Sequence, residues 1–472
     1  MAQSLLDEKD CKIIISKYLQ SEKFEFVTFR VKPFVDKERE YYRDNAIIEI
    51  SVKISKNISR LRLFLKQYHS KYPALVTVLR ERKMSEREIF FYEIALPEMI
   101  KGAPDYDADF VPSYFLGKLN RFVILEDLSA SKFVVAKKYN YLVLDRFHVS
   151  LGLKALSKLH ALSLATLGQR ETLTQNSLLQ DNPLKCDNTL PASIKGLKTL
   201  LVAFNQSRGA PKDDLNERLD VFIKNCTDLM DAQREYRQVL CHGNIYTRNL
   251  LFKYEGSFPV DCKLLNFELI KYFPPAYDVL MFIYFTTVKT FRQHYFTHLI
   301  KYYYDCLTEE LRKLNLDINK ELPVKEFERS IDTLMPVIKL SSCVFLQNFG
   351  AKKGFYEGVK KDSDLYKEFL FNDKSQIIEG IMKKDPIFKE IIIESLEELM
   401  EIITVSQINK EVCYKLIEET LGTTLYEIKN YQFSSDNSEL TVEVKLDDEK
   451  DSLKSFTFII NDNKNKYISE LK

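Results

Sequence analysis

The stretch Leu240-Cys241-His242-Gly243-Asn244-Ile245-Tyr246-Thr247-Arg248-Asn249-Leu250-Leu251-Phe252 restricts the fold more than any other part of the chain. A short apolar run enters a His-Gly turn, Asn244 follows, and Asn249 comes five positions later at the mouth of a second apolar run. Seventeen residues further on is Asn266, within Leu264-Leu265-Asn266-Phe267-Glu268. The runs Leu250–Tyr254 and Lys263–Phe267 read as two short strands with a hairpin-like link, which brings Asn249 and Asn266 to neighbouring tips. Polar side chains at such tips converge on one small volume, as a group-transfer site requires.

The chain is long enough for two or three core-bearing units: 472 residues, 45% apolar and 29% charged, a soluble globular balance. A net charge of +1 gives no reason to expect nucleic acid or an anionic membrane as partner. The opening residues are too charged for a secretory signal, and the apolar run Val279–Phe285 is far short of the roughly 20 residues a membrane span needs. Eight cysteines without a C-x-x-C pair read as buried reduced thiols, so a cytoplasmic location is expected.

Residues 5–20 have the spacing of an amphipathic helix, with Leu5, Leu6, Cys11, Ile13, Ile14 and Leu19 on one face. Strands are expected at Phe24–Phe34, Ala46–Ile54 and Leu61–Tyr68, then a helix from Met84 to Ala95 ending at Pro97, then strands near Val111–Leu116 and Phe122–Leu128. From Phe147 the spacing is helical, with windows at Ser193–Gln206, Asp213–Tyr236, Tyr277–Phe291, His294–Leu314, Val324–Phe345 and Ile387–Thr404. These runs divide the chain into a small β-rich lobe (1–128), a helical lobe carrying the His-Gly loop (129–404) and an α+β segment (405–472). That last segment repeats the order of the opening: a helix with a cysteine, an aromatic strand, a strand ending in Val-Lys (Val52-Lys53, Val444-Lys445) and a third strand. It reads either as a truncated copy of the first lobe or as an independent tail, and in a copy the position of Lys66 falls near Ile460.

Lys66 ends the third strand and Glu88 sits on the next helix, the order in which a strand cation is held toward phosphates by a helical carboxylate. Leu125, Glu126, Asp127 and Leu128 form a strand end whose backbone suits the edge of an adenine. His160 reads as a core residue, and His242 as a brace for the loop or a catalytic position. His294 and His298 are one helical turn apart but have no evident third metal ligand.

Taken together, Val239-Leu240-Cys241-His242-Gly243, Asn249, Leu125-Glu126-Asp127-Leu128, Leu156-Ser157-Lys158-Leu159-His160-Ala161-Leu162-Ser163, Glu88-Ile89-Phe90-Phe91-Tyr92 and Tyr277-Asp278-Val279-Leu280 resemble the ecdysteroid kinase-like (CHK kinase-like) family. This group is related to choline and aminoglycoside kinases and is expanded in insects. The resemblance covers about residues 5–400 and implies an α+β, bilobal protein-kinase-like fold. It further implies ATP- and Mg2+-dependent phosphorylation of a hydroxyl on a small, often steroid-like molecule. It would place nucleotide-binding roles on Lys66, Glu88 and residues 125–128, catalytic roles on Asn244, Asn249 and His242, and metal-binding roles on Asn249 and Asn266.

Three departures bear on activity. Asn244 stands where the family has the Asp that takes the hydroxyl proton, and an amide cannot accept that proton at neutral pH. Asn266 stands where the family has its metal-binding Asp, which removes a charge from a hard-cation site. No glycine precedes Gly102, so the loop Val35–Asp44 is no phosphate cradle. Against these, Glu268 falls two residues after Asn266, on the same face if the strand continues, where it would restore the lost carboxylate. The leading expectation is a degenerate kinase (a pseudokinase) with weak or no phosphotransfer. The alternatives are an active small-molecule kinase and a non-catalytic scaffold that recruits a protein through 405–472. ATP and Mg2+ are cofactors of the active form only.

Overall fold

Alternating side chains build the first sheet. A computed structural model describes residues 5–34, 45–136, 142–166, 170–208, 215–231, 236–352 and 354–421, with strand segments 426–433, 439–446, 453–459 and 468–471. Side chains are described to residue 403, Thr172 apart. Strands β1 (Glu25–Pro33), β2 (Ala46–Ile54), β3 (Asn57–Gln67), β4 (Tyr114–Lys118) and β5 (Phe122–Glu126) form an antiparallel sheet in the order β1-β2-β3-β5-β4. Ile48, Ile50 and Val52 share a face with Leu61, Leu63 and Leu65, and that face buries Cys11, Ile14 and Ile15 of the helix Glu8–Leu19. Ile15, not Ile13, lies on the buried side, because the helix begins at its Asp7 cap and this sets the phase of its turns. The loop 35–44 lies outside the described residues.

The helix expected to end at Pro97 instead continues. Met84–Phe90 passes through a π-turn, Phe91–Ala95, into Leu96–Gly102. Proline has no N–H to donate, and the wider turn, with Leu96 N–H bonded to the Phe91 carbonyl, admits it at the start of a new register. A helix not expected from the sequence, Pro73–Glu81, precedes it. The strand sought near Val111 begins only at Tyr114, because Pro112 cannot donate to the ladder; Phe110 and Val111 are buried ahead of it.

The helical part carries Arg146–Thr166, Leu190–Ser207, Leu215–Asp231, Ala276–Thr286, Lys289–Lys313 and Val324–Phe349. Two short β-units are set into it. The first is a three-stranded sheet of β6 (Phe133–Val134), β8 (Leu250–Glu255) and β9 (Phe258–Leu264), and the second pairs β7 (Val239–Cys241) with β10 (Lys271–Phe273). β9 stops at Leu264, so the segment with Asn266 and Glu268 is not an extended strand. Asn266 is left-handed (φ 65°), so strand alternation does not relate residues 266 and 268. No helix among the described residues is long and apolar enough to cross a membrane, and the described cysteines are free thiols.

The chain divides into two compact units, Met1–Leu399 and Met400–Lys472. The helical window expected at Ile387–Thr404 and the cysteine-bearing helix expected after it are one helix, Pro386–Leu421. The second unit has a sheet of its own, β11 (Tyr426–Phe433), β12 (Glu439–Leu446), β13 (Leu453–Ile459) and β14 (Ile468–Leu471). Its register matches that of the first sheet. Glu427 pairs with Lys445 and Ile428 with Val444, as Glu25 pairs with Lys53 and Phe26 with Val52, and in both sheets a bulge follows at once. Position 460, where a counterpart of Lys66 was sought, lies outside the described residues.

Candidate active site

The site is built on the His-Gly turn at the end of β7. Gly243 is left-handed (φ 70°), and a Cβ there would lie 1.9 Å from the Leu269 carbonyl oxygen, so only glycine fits. Asp278, fully buried on the helix Ala276–Thr286, fixes the turn: its carboxylate accepts the His242 N–H at 2.6 Å and the Gly243 N–H at 2.9 Å. His160 lies 3.2 Å from the same carboxylate and bonds Tyr303 through its other nitrogen, as a core histidine. Gly243→Ala is expected to cost on the order of 3 kcal/mol or more, through backbone collision and left-handed strain. Urea unfolding checks this, and a variant within about 1 kcal/mol of the native chain contradicts it.

His242 is a brace. Its Nε2 lies 2.8 Å from the Leu265 carbonyl and its Nδ1 accepts the Asn244 N–H at 3.2 Å. Burial pushes its pKa down, which favours the neutral ring with Nε2–H donating and Nδ1 accepting. Both nitrogens are therefore engaged with backbone, leaving none to move a substrate proton.

The three asparagines form a chain of contacts. Asn249, 2% exposed, donates from Nδ2 to the Asn244 carbonyl at 2.6 Å, which fixes Oδ1 as its other side-chain atom. Asn266 donates its amide to that Oδ1, also at 2.6 Å. The two positions sought as metal ligands are thus bonded to each other.

Lys66 is 2.5 Å from Glu88 and 2.5 Å from Glu268, with all three nearly excluded from solvent. Tyr68 adds a hydroxyl to Glu88. Glu268 reaches Lys66 because Phe267 is locked in place, stacked on Phe91 of the π-turn with centroids 3.7 Å apart and packed on His242. Tertiary packing, not strand alternation, sets the direction of Glu268.

One cavity of about 590 Å³ gathers most of the expected residues: Lys66, Leu125, Glu126, Asp127, Leu128, Asn244, Asn249, Asn266 and Glu268 all line it. Glu88 and His242 stand behind its wall. Asp127 is engaged by Arg62 at 2.5 Å, and Glu126 by the Ser113 hydroxyl and N–H. The far end is apolar, with Phe345, Phe349 and Tyr356 on its wall as expected and Phe355 not among them. His294 is exposed on its helix and bonds the Thr290 carbonyl.

Sequence reading missed Arg87 and Lys271, both lining the cavity. Arg87 pairs with Asp181 and donates to the Leu178 and Ile270 carbonyls. Its only signal was its place beside Glu88. Lys271, on β10, had none.

A cation on a sheet strand, a carboxylate on the following helix and a polar loop beneath, divided between a β-sheet lobe and a larger helical part, make this an α+β protein-kinase-like fold. No curated protein matches the chain. Among solved structures, a point mutant of aminoglycoside 2'-phosphotransferase-IIIa in its GDP complex is similar, with 12% identity and a TM-score of 0.31, covering 84% of this chain and 97% of that one. The model of the ecdysteroid kinase-like family matches residues 42–316, more than half of the sequence. The chain therefore belongs to the ecdysteroid kinase-like family.

Proposed function

We propose that this chain is a degenerate member of its family, which binds an organic small molecule in the cavity and transfers phosphate weakly or not at all. One observation carries the reading: Asn249 and Asn266, at the two metal-ligand positions, are joined by an amide–amide hydrogen bond of 2.6 Å. A hard divalent cation prefers carboxylate oxygens. The one carboxylate of this donor set, Glu268, is paired with Lys66, and the Asn266 amide offers its N–H side to Asn249. The residues as arranged do not fit Mg2+.

Nor do they favour a triphosphate. Lys66, the cation expected to meet it, already carries two carboxylates, so their summed charge is negative. Asn244 at the hydroxyl-activating position supports the same reading, since an amide can orient a hydroxyl but not deprotonate it.

Thermal unfolding with ATP plus EDTA and with ATP plus Mg2+ is expected to give the same midpoint. Phosphate transfer to a panel of steroid and small alcohols should stay at the no-enzyme rate. A magnesium-dependent rise in the midpoint, or measurable transfer, would overturn the reading in favour of an active kinase.

A further inference from the structure

Among the described residues, the cavity contains a buried cation that no ion pair neutralises. Lys271 is 5% exposed and lines the cavity. Among the described residues its ammonium has no ion pair and no hydrogen bond; it lies 4.7 Å from the Phe273 ring centre and 5.2 Å from that of Tyr277. The carboxylates around it are committed elsewhere. Asp181 is held by Arg87, Asp231 by Lys185 and Asn182, and Asp278 by the N–H groups of the His-Gly turn and by His160. Ring faces offset part of the cost of burying an ammonium, but lysine is rarely buried without an anion.

The wall beside Lys271 gives the shape of what would complete it. Tyr277, Met281 and Phe285 recur every four residues on one helix and all line the cavity, marking an apolar strip about 12 Å long. At its end Phe285 stacks on Phe345 with centroids 4.1 Å apart, and Tyr246 closes against Phe345 at 5.1 Å. The strip has a cation at one end and aromatic rings at the other.

We propose that Lys271 is the anion-recognising end of this apolar strip, and that the molecule this chain takes is an organic acid: a lipid-sized or multi-ring apolar body bearing a carboxylate, sulfate or phosphate. Naming this the small-molecule end of the site rests on the kinase-like reading above; the binding chemistry does not.

The test uses two fluorescent probes of one shape, anilinonaphthalenesulfonate and its uncharged parent phenylnaphthylamine, titrated against the full chain without nucleotide. The sulfonate is expected to bind about tenfold to a hundredfold tighter, the range for a charge-assisted contact in a dry site. Lys271→Met should abolish that preference and leave phenylnaphthylamine binding unchanged, which also reports that the variant is folded. Lys271→Arg should keep it.

The native chain gives an independent arm. Burial pushes Lys271 down to about 8; of the titratable groups around it, Asp181, Asp278, Asp231 and the buried thiol Cys241 act to raise its pKa and Arg87 to lower it. The preference should therefore fade between about pH 7 and about pH 9 while phenylnaphthylamine binding holds. Equal binding of the two probes by the native chain, or a preference kept in Lys271→Met and lost in Lys360→Met, overturns the proposal. Neither result touches the nucleotide reading, because no nucleotide is present.

Discussion

Asn266→Asp is expected to make the stability of this protein depend on a divalent cation. The Asn249 amide cannot turn to greet the new carboxylate, because its Nδ2 is held by the Asn244 carbonyl at 2.6 Å and its Oδ1 faces residue 266. The substitution replaces an N–H···O contact by two facing oxygens on the cavity wall. The cost is on the order of 1–3 kcal/mol from the lost hydrogen bond and the unpaired acceptor. A cation between the two oxygens removes the conflict, and at a hundred times its Kd it restores about 2.7 kcal/mol. In EDTA the variant should melt below the native chain, and Mg2+ should recover most of the difference while leaving the native midpoint alone. Adding Asn244→Asp returns a group able to take a proton, worth typically about 10²–10⁴ in rate. If the single variant melts at the same temperature in EDTA and in Mg2+, the 249–266 contact is no vestige of a metal site and the degenerate-kinase reading loses its main support.

The second large effect concerns Lys374, which is fully buried. Its ammonium donates to Ser193 Oγ at 2.8 Å and Asn348 Oδ1 at 2.6 Å, and lies 4.7 Å from the Phe369 ring centre. Burial is the main cause of its pKa falling to about 7. In the unfolded chain a lysine titrates near 10.4. Between these values the unfolded state holds the extra proton, so stability rises with pH across about 7 to 10.4 and is flat on either side. At 1.36 kcal/mol per unit the gain is on the order of 4 kcal/mol. Lys271, lowered to about 8, adds a contribution of the same sign over a narrower window. Chemical unfolding at about pH 7 and about pH 10 checks this: Lys374→Met should lose most of the rise and be as stable as the native chain, or more so, at the lower pH. Parallel pH profiles for the two proteins would mean that Lys374 is not charged at the cost its burial implies.

Much of the scaffold is written locally. The alternation in 46–54 and 61–65 can bury its isoleucines, valine and leucines only as paired strands. The His-Gly turn, with Asn249 five residues after Asn244, could be read because its spacing is a property of one loop. Glu88 was paired with Lys66 from order alone, and the two are 2.5 Å apart.

What failed to show in the sequence depended on contacts distant along the chain. Residues 263–267 look like one strand because Leu264, Leu265 and Phe267 are apolar; Asn266 breaks it with a left-handed turn, and the stacking of Phe267 on Phe91, 176 residues earlier, aims Glu268 at Lys66. Nothing near Lys271 marks it, since its meaning lies in where Asp181 and Asp278 have already spent their charge.

By itself, then, the sequence determined the family scaffold, the loop and the presence of amides where acids are expected, because these follow from residue identity and short spacing. Only the tertiary structure decided what the amides do. Whether Asn249 and Asn266 face a cation or each other, and whether Glu268 serves a metal or Lys66, is set by packing that fixes each group within hydrogen-bond reach of a particular partner. Here each has one.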